Sequence, residues 1–173
     1  MRRWIAGWLL VLAFLFAQRV PHGETQEKRS GFGFTTSRAP IEITSDTVEG
    51  SQKENRITFK GNVVAKQEEA TLHAHQMVVH YDSETKKIRE IVATGNVRIV
   101  QLERRATCQR ATFYQMENKV VLEGEVVLRE GDNVVRGERM VYLLNEDRSY
   151  IEGGKGGRVV TTIVPPPKEE KKR

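Results

Sequence analysis

His73, His75 and His80 are the only cluster of imidazoles in a chain of 173 residues and four histidines. Two histidines at i and i+2 on a strand project to one side and can share a metal, but a structural zinc site needs four ligands. No cysteine or carboxylate stands at a matching spacing, so they read as exposed strand histidines, and neither a metal nor another cofactor is expected. Cys108 is the single cysteine, with no His or Asp pattern to activate it and no partner for a disulfide; it reads as a small core residue. Gly153-Gly154-Lys155-Gly156 has the glycines of a phosphate loop without its Gly-x-x-x-x-Gly-Lys-Ser/Thr frame, and it leads into a strand, so it reads as a turn. No Gly-x-Ser-x-Gly elbow or motif-placed carboxylate pair occurs. The chain is expected to be non-enzymatic.

The targeting and charge patterns narrow the setting. Met1-Arg2-Arg3 precedes an apolar run of 14 residues, Trp4 to Ala17, which fits the n- and h-regions of a secretory signal. The run falls short of the roughly 20 residues a spanning helix needs. Cleavage after Ala17 would release the protein, although Leu15 at the −3 position is large for such a site; retention would leave an anchor. Removing 1–17 takes the net charge from +5 to +3, with 26 basic residues against 23 acidic. The basic residues are scattered through the sequence, with no basic stripe or aromatic platform, so nucleic acid is not an expected partner. Residues 18–39 read as a linker, 40–165 as one domain and 166–173 as a charged, disordered tail.

The domain must be built from strands. From Pro40 to Val164 there is no helical period. Arg56 to Lys66 instead alternates, with Ile57, Phe59, Gly61, Val63 and Ala65 on one face, as half-buried antiparallel strands do. The block recurs: Gly61-Asn62-Val63, Gly95-Asn96-Val97 and Gly124-Glu125-Val126, with Gly153 assigned to the same place in a fourth copy. A column of small residues accompanies it at Ser45, Ala74, Cys108 and Gly137. Three residues on stand Val48, Met77, Ala111 and Met140, and two further on, in the last three copies, Val79, Phe113 and Tyr142. Asp82-Ser83-Glu84, Glu117-Asn118 and Asn145-Glu146-Asp147 supply polar turns. Four copies of a two-strand unit cannot bury their faces singly and must stack or fold over one another. A meander, a jelly roll and a solenoid of antiparallel strands all meet that demand.

Three segments carry a family resemblance: Ile41-Glu42-Ile43-Thr44-Ser45-Asp46, Phe59-Lys60-Gly61-Asn62-Val63, and Arg158 through the Val-Thr-Thr of 160–162 to Pro165. The chain resembles the LptA/OstA family of lipopolysaccharide-transport periplasmic bridge proteins over nearly all of 40–165. Two departures stand out: Glu125 replaces the Asn of the first two blocks, and the fourth keeps only its glycine.

The resemblance implies an all-β, OstA-like jelly roll open at both ends. It implies head-to-tail homo-oligomers, partnership with the inner- and outer-membrane components of lipopolysaccharide transport, and lipid A acyl chains as cargo. The expected place of work is the periplasm. Parity alone leaves open whether the inward face packs shut or holds a guest. Parity and family position together give the expected groove lining: Ile41, Ile43, Ile57, Phe59, Val63, Met77, Val79, Val97, Ile99, Phe113, Leu128, Met140 and Tyr142. Two other readings stay open, a membrane-anchored subunit of the same export system and a polymerising β-repeat scaffold without lipid.

Overall fold

Period-two alternation becomes strand wherever the sequence carries it. The computed structural model describes residues 39–165; the Trp4–Ala17 segment, nearly all of the 18–39 linker and the 166–173 tail lie outside them. Ten antiparallel strands form one sheet: β1 (Glu42–Thr44), β2 (Thr47–Ser51), β3 (Arg56–Gln67), β4 (Ala70–Tyr81), β5 (Ile88–Gln101), β6 (Arg104–Tyr114), β7 (Lys119–Glu130), β8 (Asn133–Leu143), β9 (Arg148–Glu152) and β10 (Val160–Thr162). Strands β3 to β8 run as a meander. β1 and β2 both pair with β3 at one edge, and β9 and β10 both pair with β8 at the other.

The repeated triplets are the hinges of this sheet. Gly61-Asn62, Gly95-Asn96 and Gly124-Glu125 are each consecutive left-handed residues, with φ of 76° and 44°, 82° and 49°, and 80° and 51°. Each sits where the ladder register slips, the mark of a β-bulge that bends its strand. Gly61 is therefore a corner and not a member of the alternating face. The small column and the triplet valines are cross-strand partners beside the bend: Val63 opposes Ala74, Val97 opposes Cys108 and Val126 opposes Gly137. Glycine is required at these corners because a Cβ on Gly95 would come 2.8 Å from the Cβ of His75. In the fourth copy the matching glycine is Gly154, not Gly153. Gly154 has φ +75° and lies against Glu138, while Gly153 lies against the backbone of Gly157 and Arg158. One extra residue after β9 displaces the corner, and the residue spacing alone conceals that shift.

The bends divide the sheet into two arms. Arm A holds β2, β9, the first halves of β3, β5 and β7, and the second halves of β4, β6 and β8. Arm B holds β1, β10 and the remaining halves. Leu72 and Ile99 are fully buried, yet no helix or second sheet among the described residues covers them. Their cover is the other arm, with apolar residues of both arms gathered in one cluster. The molecule is an all-β jelly roll of antiparallel strands.

Candidate functional site

Between the arms, at the β1 edge, the roll leaves a cavity of about 710 Å³. Arm B contributes Ile41, Ile43 and Gln67, and arm A contributes Phe59, Val79, Tyr81, Ile88 and Ile91. Gln115 and Met116, from the turn between β6 and β7, and Ala39 complete the wall, and Lys87 is its one charged member. Gln67 Nε2 donates to the Ala39 carbonyl at 2.9 Å, tying the incoming chain to the end of β3.

The thirteen expected lining residues divide by position along the roll. Ile41, Ile43, Phe59 and Val79 line the cavity. Val63, Met77, Val97, Ile99, Phe113, Met140 and Tyr142 are buried in the packed cluster, and Leu128 packs against it. Ile57 opposes Val79 across the ladder but is half-buried and outside that cluster. The shared inward face was readable from alternation; its division into cavity and core depends on how closely the arms approach. Ile91 carried a parity signal, two residues before Ala93. Ile88 did not, because the register slips between His80 and Tyr81, and Met116 stands in a turn without period.

The groups with chemical potential are dispersed. Among the described residues no three His, Cys, Asp or Glu side chains lie close enough to hold a metal ion. His73 sits beside Arg98 and Lys66, and partial burial together with those cations lowers its pKa. Burial pushes the Cys108 thiol up to about 12, so the sulfur is a protonated filler at neutral pH. The Tyr142 hydroxyl donates to the Asp147 carboxylate; burial and that carboxylate raise its pKa. Chemically, the site offers an apolar wall, two amides, a phenol and one ammonium. It is suited to holding an amphiphile.

Comparison with known proteins agrees with this geometry. Residues 42–148 match the family described as LptA/(LptD N-terminal domain) LPS transport protein. The lipopolysaccharide export system protein LptA of Escherichia coli K12 is 27% identical over 141 residues, spanning 70% of this chain and 69% of that protein. An uncharacterized protein of Rhizobium meliloti is 29% identical over 159 residues, 85% of this chain and 82% of its own. The crystal structure of LptH, described as the LptA-homologous periplasmic component of the lipopolysaccharide transport device of Pseudomonas aeruginosa, superposes with a TM-score of 0.65. It is 20% identical and covers 73% of this chain and 96% of its own, a likeness of fold.

Proposed function

This chain belongs to the LptA/LptD N-terminal-domain family of lipopolysaccharide transport proteins, and from that premise we propose that it carries lipopolysaccharide through the periplasm toward the outer membrane, holding acyl chains between its two arms. The observation that carries the reading is the apolar cavity between Ile41 and Ile43 on one side and Phe59, Val79, Ile88 and Ile91 on the other. Burial is worth about 0.8 kcal/mol per methylene, so an acyl chain of about 12 carbons gains roughly 10 kcal/mol relative to water. A lipid leaving a membrane does not start in water, so its transfer into an apolar groove is close to neutral. A conduit needs that balance, and an aliphatic wall supplies it where a hydrogen-bonding pocket would trap the cargo. The energy for movement comes from partners in the two membranes.

Head-to-tail association belongs to the same reading. The β9–β10 edge presents Val160, Ile163 and Val164 to solvent, and β1 and β2 form the opposite edge. Unblocked edges pair with other chains. Joining one edge to the other is a heterologous contact that extends instead of closing. Light scattering on the purified chain is expected to show mass rising with concentration.

A photocrosslinking residue at Ile43 or Ile88 is expected to capture lipopolysaccharide, while one at outward-facing Val78 is not. Absence of adducts at every cavity position would remove the lipid reading and leave a polymerising scaffold.

A further inference from the structure

The outer face of arm B carries an excess of cations that no salt bridge among the described residues reaches, whereas the outer face of arm A is balanced. On arm A, one row across the ladder reads Arg110, Glu123, Arg139, Glu152. Arg139 lies 3.7 Å from Glu123 and 3.5 Å from Glu152. On arm B, one row reads Lys66, Thr71, Val100, Arg105, Arg129, and the next reads Val64, His73, Arg98, Thr107, Val127, Arg136. Neither row contains a carboxylate; Glu42, opposite Lys66, stands at the edge, and Glu125, at the bend, borders the second row beside Arg98 and Thr107 with Gln109 as its hydrogen-bond donor. Arg98, Arg105, Arg129 and Arg136 are exposed, and among the described residues no salt bridge reaches any of them.

This arrangement works against folding. Arg105 and Arg129 are directly opposed, and like charges in that position destabilise a sheet. With strands about 4.8 Å apart, the four guanidiniums on β5 to β8 span about 15 Å, so neighbours lie within a Debye length of roughly 8–10 Å and act as one field. A second unfavourable feature sits at the tip of the same arm. Leu102, in the turn between β5 and β6, is 71% exposed; its φ of +53° is that of the two-residue hairpin turns and is shared by Glu68 and Gly131 at the equivalent positions. Packing within the fold accounts for neither the opposed arginines nor the exposed leucine side chain.

We propose that the outer face of arm B docks on a bilayer bearing anionic phospholipid headgroups. The arginines meet phosphates, for which the guanidinium fork is shaped, and Leu102 enters the boundary between headgroups and acyl chains. A sheet face with four cations on adjacent strands and only Val and Thr between them matches a planar, polyanionic surface. The seat would hold the roll against a membrane while its cavity, on the inner side of the arms, stays free.

The test is sedimentation of the full chain with vesicles of phosphatidylglycerol and phosphatidylethanolamine, against vesicles of phosphatidylcholine alone. Binding to the anionic vesicles is expected to exceed the phosphatidylcholine baseline, which reports the contribution of Trp4 to Ala17. The excess should vanish near 0.5 M salt, on the order of a Debye length shorter than 5 Å. Each of R98Q, R105Q, R129Q and R136Q should lower the low-salt partition about fivefold, and L102S should lower it further, while K60Q/R110Q on arm A should not change it. R129E guards against misfolding, since it turns a like-charged pair into an opposite one. It is expected to melt no lower than the parent yet bind anionic vesicles less. Equal binding to both kinds of vesicle, or equal binding by arm A and arm B variants, would overturn the proposal.

Discussion

Asp46 and Asn62 clasp the first bend of the sheet. Asn62 Nδ2 donates to Asp46 Oδ2 at 2.9 Å, and the Asp46 N–H donates to the Gly61 carbonyl at 3.0 Å. The short strands β1 and β2 thus break at the point where β3 turns its corner, and the edge follows the fold. Asn62 also holds φ +44°, which Asn tolerates better than most residues. Asn62→Ala loses both the hydrogen bond and that tolerance, and is expected to lower stability by about 1–2 kcal/mol. Asn62→Gly keeps the backbone freedom and should cost less. Urea unfolding of the two variants checks the order; Gly at least as damaging as Ala would show that the backbone conformation is not what Asn62 supplies.

Glu125 occupies the equivalent corner of the third repeat, with φ +51°. The chain adopts the same geometry there with a less suitable residue, compensated only by a long Gln109 Nε2 to Glu125 Oε2 contact of 3.4 Å. Glu125→Asn is expected to raise stability by about 0.5–1 kcal/mol. A lower denaturation midpoint would mean that the Gln109 contact outweighs the backbone term.

These corners also mark what the residues alone could convey. Alternation and the spacing of Gly61, Gly95 and Gly124 determine strands, bends and an inward face, because strand parity and left-handed backbone are local properties. The fourth corner was displaced to Gly154 because one extra residue in a connection changes geometry without changing composition. The division of the inward face into core and cavity was not local. Met77 and Val79 share parity and strand, yet only Val79 reaches the open space, since that depends on the separation of two arms distant in sequence. The basic face is illegible in the sequence for the same reason: Arg98, Arg105, Arg129 and Arg136 are scattered along the chain and become neighbours only through strand register.

Cys108 gives a stability signature in alkali. Its thiol is pushed from an ordinary 9.0 to about 12 in the fold, so the unfolded thiol ionises first. The stability linked to this shift is full below pH 9 and is lost as pH rises toward about 12. Tyr142, also raised, adds a loss of the same sign above its ordinary value of 10. Cys108→Ala should flatten the first part of the decline in denaturation midpoint. At pH 8 a thiol reagent should modify the native protein no faster than it unfolds; rapid modification without unfolding would contradict a buried, protonated sulfur.

Ile43 and Leu72 separate groove from core. Both face inward on arm B, but Leu72 is fully buried whereas Ile43 is half-exposed and borders the cavity. Leu72→Ala removes packed methylenes and is expected to cost about 2–5 kcal/mol. Lipid capture by a photocrosslinker at Ile88 should survive at temperatures where that variant stays folded. Ile43→Asp places a carboxylate where water can reach it, so its cost should stay near 1 kcal/mol, on the scale of a group that keeps its solvation. The same charge would stand in the path of an acyl chain and should suppress capture at Ile88. Melting curves and adduct yields, measured on both variants, give a crossed pattern if the cavity is an open binding space. If Ile43→Asp were as destabilising as Leu72→Ala, the wall would be ordinary sealed core.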